Sequence, residues 1–467
     1  PTRTDRGLER YDPTTNNVLV CGVGQVPKDC GTDISKKRFS PRLGIAYRAT
    51  DTFVIRAGFG ITNDPYEGLE LMRNNYPIME PFGLQPPNSF TPATTLAFGL
   101  PPIQAPVVPS NGILDLPLNV GFEGQPKDLH RGYIESWNLT LQKELGKGFT
   151  AQAGYVATRS VRQLGFIDIN AGQVPYTNQA TQPLFQQWGR TAATTFLEPL
   201  GTGHFDSLQV SLKRRFSAGL MLNVNYTWSK SINFVDASSG TTYIQSQQYL
   251  SMNRALTGFD IPQNLAVTSL WELPFGKGKR WLDHSGALAK IVSGWQVNNL
   301  VSLFNGKPFN VVGSCGAGWP SNSPTMANLF GSPKKVGDRS GYWYDPLAFG
   351  QTYDPNSADS CLEGALGNSG FNNLRGPGVF NWDFGVFRDF PISERFHLQF
   401  RAESFNFTNT PHFCNPDNDL GNANGFDPQT GRVTDPGTFM TLDNGVCDLA
   451  RAGVDQRQFR FGLRFQF

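Results

Sequence analysis

The sequence is poor in charge. Asp, Glu, Lys and Arg make up only 17% of its 467 residues, against roughly a quarter in ordinary soluble domains. Forty basic and 38 acidic side chains leave a formal charge of +2, so there is no basic surface that would take nucleic acid as a partner. Long apolar runs are missing too. A membrane-crossing helix needs about 20 apolar residues in succession. The longest uncharged stretch, Pro81 to Leu114, is broken by Pro86, Pro87, Pro92, Pro101, Pro102, Pro106 and Pro109, each of which removes a helical hydrogen bond. Amphipathic helical stretches are almost absent, which disfavours a cytosolic α/β enzyme. No apolar leader follows Pro1, so either a signal has been removed or the chain begins inside its gene.

Catalytic and cofactor signatures are also lacking. There is no Walker A loop, no GxGxxG after a strand, no HExxH and no GxSxG elbow, so no enzyme and no cofactor are expected. Five histidines and no CxxC disfavour a metal centre. Gly367–Gly370, Asp417-Asn418-Asp419 and the basic run Phe275–Arg280 read as turns. Aromatic residues reach 12%, far from the composition of a disordered chain.

What the chain does have is period-two alternation in stretches of about ten residues. At the end, Phe459, Phe461, Leu463, Phe465 and Phe467 share one face, and Arg460, Gly462, Arg464 and Gln466 the other. A strand separates these sets, whereas a helix mixes them. The same pattern runs through Phe53–Thr62, Ser136–Gln142, Phe149–Tyr155, Ser207–Lys213, Leu220–Ser229 and Phe396–Glu403. It is weaker in Arg42–Arg48, Leu265–Leu273, Trp295–Phe304 and Phe380–Arg388. These stretches predict an all-β, antiparallel sheet of about 11–12 strands.

Connections alternate in length. Short ones lie at Ala49–Asp51, Gly146–Gly148, Ser217–Gly219 and Asp389–Glu394, with a medium one at Pro274–Gly294. Long ones cover 63–132, 159–204, 231–262, 305–376 and 408–456. Compact soluble domains rarely carry several structureless loops of such length, so the pattern predicts a transmembrane β-barrel with short periplasmic turns and long extracellular loops. The competing reading is a soluble sandwich or barrel with the apolar face inward. Aromatics near strand ends, Trp137, Tyr155, Tyr226, Trp228, Trp271, Trp295 and Phe467, favour the membrane, because barrels place such rings at both interfaces. Lipid then covers the apolar face. Arg56, Asn138, Gln142, Gln209, Asn223, Asn225, His397, Arg401, Glu403, Arg460 and Arg464 are expected to face a wet lumen.

In this orientation residues 1–39 form an extracellular segment and 40–467 the C-terminal half of a barrel. An odd strand count with the last strand ending in the periplasm implies that further strands precede the chain, since bacterial barrels have an even number. The six cysteines, Cys21, Cys30, Cys315, Cys361, Cys414 and Cys447, fall two by two in long outside segments. Nearest-neighbour disulfides are the first expectation among many possible pairings.

The residues resemble a known family. Phe39–Tyr47 (FSPRLGIAY), Ser136–Gln142 (SWNLTLQ), Asn223–Lys230 (NVNYTWSK), Trp271–Gly278 (WELPFGKG), Phe400–Phe407 (FRAESFNF) and the terminal Phe467 together resemble the C-terminal barrel of a TonB-dependent outer-membrane receptor of the Oar-like type. The resemblance implies a barrel of about 22 strands around a plug, in the cell outer membrane of a Gram-negative-type bacterium. It also implies partners: outer-membrane lipid, the TonB complex through a missing N-terminal part, an unknown ligand, and the barrel-assembly machinery. That machinery would read Phe467, with Phe465 and Phe459, as the C-terminal assembly signal. Energised uptake by a receptor fragment lacking its plug is the expected function. A surface structural or adhesion barrel without transport is the alternative.

Overall fold

The computed structural model describes residues 9–34, 39–63, 75–77, 84, 86, 88–100, 106–174, 179–235, 244, 246–276, 279–283, 286, 291–313, 326–339, 341–354, 356, 366–392, 395–442 and 456–467. Eleven long strands follow in chain order: β1 (Arg42–Thr50), β2 (Phe53–Asn63), β3 (Tyr133–Gly146), β4 (Phe149–Asp168), β5 (Thr194–Ser217), β6 (Leu220–Asn233), β7 (Gln263–Glu272), β8 (Trp295–Phe304), β9 (Val379–Pro391), β10 (His397–Phe405) and β11 (Gln458–Gln466). They are the eleven stretches that alternate in the sequence. Each pairs with its chain neighbour, from β1 at one edge to β11 at the other. Phe122–Gly124 adds to β5 in parallel and Ala255–Leu256 to β6, giving a sheet of 13 strands that does not close on itself.

Two of the hairpin turns show why the short connections fold as they do. Lys147-Gly148 and Ala218-Gly219 both have positive φ, 49° and 78° in each case. A two-residue turn of this hand matches the twist of the flanking strands, and glycine supplies the second position without steric cost.

The long connections differ from the structureless loops expected from their length. Strands β4 and β5 continue far past the expected loop start at 159, and their ladder reaches Asp168↔Thr195. The connection is therefore 169–193. Register shifts at Val161/Gln163 and Gln163/Gly165, with Arg162 at φ 56°, break the alternation there. The bulge hides the strand from a period-two reading.

The connections also carry the buried cores. One cluster joins Phe309, Val311, Trp343, Phe349, Leu374, Leu420, Val433 and Phe439, drawn from the β8–β9 and β10–β11 connections. The Phe349 and Phe439 rings meet edge to face at 5.7 Å. A second cluster joins Tyr11, Val18, Leu116, Phe122, Leu184 and Phe196. Here Glu9–Asp12, Asn17–Val20 and Ile113–Asp115 form a three-stranded sheet, roofed by the short helix α1 (Pro183–Trp188). A third packs the Cys21–Cys30 disulfide against Val26, Leu19 and Ile113.

Arg190 holds the second cluster together. It is fully buried. Its Nε donates to Thr194 Oγ1 (2.6 Å), Nη1 to the Pro117 carbonyl (3.0 Å) and Nη2 to the Val120 carbonyl (2.5 Å). The guanidinium lies over the Tyr11 ring at 5.4 Å. Three segments remote in sequence thus converge on one side chain, and every donor direction used is met, as a buried cation requires.

Glu9, 2% exposed, gives this region a pH dependence. Burial pushes its carboxyl from 4.5 up to about 8, against a smaller opposing pull from Asn75. The unfolded chain loses this proton first. The contribution of Glu9 to the stability of this region is therefore full below about pH 4.5, falls as pH rises toward about 8, and is flat above. Glu9→Gln should remove that slope, as read by hydrogen exchange of residues 9–20 between pH 5 and pH 9. A slope of equal size in the variant assigns it to another group.

Candidate functional site

The register sorts the strand residues onto two faces. Rows such as Ile55–Leu141–Ala153–Val210–Tyr226–Leu265–Leu303–Phe380 run across the sheet on one side. This apolar face is uncovered. Phe461 and Leu463 are 73% and 71% exposed at the edge, and Leu139, flanked by strands on both sides, is still 48% exposed. Its rings gather at the two ends of the strands. Trp137, Tyr155, Tyr226 and Trp228 lie toward the long connections. Trp271, Trp295, Phe465 and Phe467 lie toward the turns, where Trp295 meets Phe400 edge to face at 6.4 Å and Phe396 stacks on Phe465 at 5.6 Å. The Arg388 guanidinium lies over the rings of Trp295 (5.3 Å) and Phe390 (4.3 Å), a cation–π arrangement.

Asn299 is one of the polar residues that interrupt the apolar face, directly opposite Ser269. Its Nδ2 donates to Ser269 Oγ (3.1 Å) and its Oδ1 accepts from Trp382 Nε1 (3.1 Å). An unpaired amide in an apolar medium costs several kcal/mol, and this local pairing removes most of that cost.

Arg56, Asn138, Gln142, Gln209, Asn223, Asn225, His397, Arg401, Glu403, Arg460 and Arg464 all fall on the opposite face by register. Some touch. Arg56 Nη1 donates to Gln142 Oε1 (2.6 Å), and Gln209 Nε2 to Ser207 Oγ (3.3 Å). Arg401 Nε donates to Gln399 Oε1 (2.6 Å), with its guanidinium 5.2 Å from the Phe387 ring. Glu403 stands directly opposite Arg460, whose guanidinium lies 4.9 Å from the Phe405 ring. Others do not converge: Arg56 on β2 and Arg464 on β11 sit near opposite edges of the sheet. The polar face is therefore a broad hydrogen-bonding surface rather than a focused cluster.

At its long-connection end this face carries a cleft of about 180 Å³, bordered by Phe205, Thr227, Ser231, Phe259 and Asn264. Asp260 anchors the β6–β7 connection behind it. Its carboxylate accepts from the Ser231 N–H (2.6 Å) and pairs with Arg375, and Arg375 Nη1 also donates to the Gly306 carbonyl (3.2 Å). These tie the β6–β7 and β8–β9 connections to the rim of β6. Sequence reading missed Asp260, Arg375 and Arg190, because the partners of each include segments about 70 or more residues away.

Cys21 and Cys30 form the expected disulfide, with Cα atoms 4.9 Å apart. Cys414 is also disulfide-bonded, while Cys315, Cys361 and Cys447 lie outside the described residues. In Asp417-Asn418-Asp419 the Asp417 carboxylate is taken by Asn422 Nδ2 (2.8 Å) and Thr438 Oγ1 (3.2 Å), as in a self-satisfied turn. Lys279, in the basic Phe275–Arg280 run, pairs with Glu272 at 2.9 Å.

No curated protein matches the sequence. Among solved structures the chain is similar to the outer membrane transporter YddB from Escherichia coli, at 12% identity and a TM-score of 0.41, over 90% of this chain and 39% of that one. It is similar also to the FrpB iron transporter from Neisseria meningitidis (11%, TM-score 0.40, 96% and 41%). BauA, the ferric preacinetobactin receptor from Acinetobacter baumannii, matches at 10% (TM-score 0.37, 86% and 35%). The chain thus spans about two fifths of the length of the first two. A family model, outer membrane beta barrel domain, matches residues 1–439. The chain belongs to this outer membrane beta barrel domain family, and its place is the bacterial outer membrane.

Proposed function

We propose that the chain supplies strands and ligand-capturing connections to a TonB-dependent receptor that takes up a ligand across the outer membrane. One observation carries the reading: a polar face, backed by an uncovered apolar face, leads at one end into large connections with their own packed cores. The long connections face outside and the turns face the periplasm, as short turns do in such barrels. The polar face then lines the passage.

Lipid offers no partner to an unpaired strand edge, so the barrel must close. β1 and β11 run in the same direction, each entering from the long-connection end. Pairing them directly would insert a parallel ladder into an antiparallel sheet. An odd number of further strands keeps every pair antiparallel, in line with the about 22 strands that the resemblance implies. Phe467, Phe465 and Phe459 at the turn end serve barrel assembly in this reading.

Uptake by the full natural protein tests it. Accumulation of ligand from the growth medium should stop when the proton gradient is collapsed, while surface binding persists. Accumulation that survives the collapse overturns energised transport. Packed connections also suit the alternative, a barrel that binds surface partners without transport, and binding with no accumulation under any condition would favour it.

A further inference from the structure

The rim of the apolar face carries a notch that the uptake reading does not use. The β6–β7 ladder stops at Trp228↔Gln263. Beyond it, β6 is paired instead by Ala255–Leu256, and a cavity of about 660 Å³ opens between the two pairings. Tyr155, Leu208 and Trp228 form its floor, and Lys230 and Arg254 stand above them. By register Leu208, Trp228 and Lys230 all belong to the apolar face. Trp228 is 59% exposed.

The charges in the notch do not balance. Asp260 is neutralised by Arg375. Asp206, opposite Lys230, accepts the Tyr155 hydroxyl. Among the described residues the Arg254 side chain meets a ring nitrogen, His204 Nδ1, at 3.4 Å from Nη2. Lys230 and Arg254 thus face a single carboxylate, directly above an aromatic and aliphatic floor. Trp and Tyr mark the depth at which acyl chains give way to headgroups, and cations at that depth attract anionic lipid.

We propose that this notch holds the phosphate of an anionic lipid in the surrounding leaflet. The acyl chains lie along Leu208 and Val210, the glycerol or sugar backbone rests on Trp228 and Tyr155, and the phosphate accepts from Lys230 and Arg254. The proposal rests on the reading of the apolar face as the one that meets lipid.

The test uses the full natural protein and its Lys230→Gln/Arg254→Gln double variant, each in nanodiscs of phosphatidylcholine containing phosphatidylglycerol. Native mass spectrometry counts the lipids retained, and the heat-dependent gel shift reports insertion. The wild type should retain phosphatidylglycerol preferentially. The double variant should insert equally well but lose that preference by roughly 30-fold, about 5-fold for each cation. Equal preference in inserted wild type and variant overturns the notch while leaving the lipid-facing reading intact. Equal retention of both lipids by the wild type overturns the phosphate and leaves a purely aromatic contact. Failure of both proteins to insert overturns the proposal together with the reading beneath it.

Discussion

Val224→Arg should lower the stability of the membrane-inserted protein by about 2–4 kcal/mol, whereas Asn225→Arg should change it by under about 0.5 kcal/mol. The two positions are adjacent on β6, midway between Leu220 at the turn end and Trp228 at the other. Val224 lies in the row of Leu212 and Val267, on the apolar face, and Asn225 in that of Ser211 and Ala266, on the polar face. An arginine at the centre of the lipid layer leaves its charge among acyl chains, while the small neighbours of Asn225 give a lumenal arginine room and water. Urea unfolding in phosphatidylcholine vesicles measures both. Similar losses at the two sites would mean that the faces do not differ in environment.

Arg190→Ala should cost about 3–5 kcal/mol in the N-terminal assembly of connections, since it empties a fully buried cation site and orphans its partners. The Pro117 and Val120 carbonyls and the Thr194 hydroxyl all lose a donor, and Tyr11 loses the cation over its ring. Hydrogen exchange in residues 9–20 and 113–124 should accelerate together, with β6–β11 unchanged. Effects confined to residues near 190 would show that the three segments fold independently.

The sheet was legible because each strand has two unlike environments, and that contrast is written into alternate residues such as Phe459–Phe467. Alternation fades where the environments blur. Asn299 sits on the apolar face only because Ser269 and Trp382 satisfy it, so β8 reads weakly. Arg162 and its bulges shift the phase, and the outer part of β4 reads as loop. The packed connections leave no periodic trace at all. Trp343 donates to the Arg375 carbonyl and Trp188 to that of Pro13, 175 residues away, and such contacts depend on tertiary placement. The polar residues were legible as one face of the sheet. Its rim was not, because Arg254, Asp260 and Arg375 come from irregular connections.

Collision accessibility of spin labels at residues 460 and 461 tests the central claim most directly. Arg460→Cys and Phe461→Cys would be labelled separately in the full natural protein and reconstituted into vesicles. The label at 461 should be relaxed by oxygen dissolved in the acyl chains and shielded from a water-soluble nickel chelate, and the label at 460 should show the reverse. Shielding of the 461 label from both reagents, as in a dry packed interior, would contradict the account.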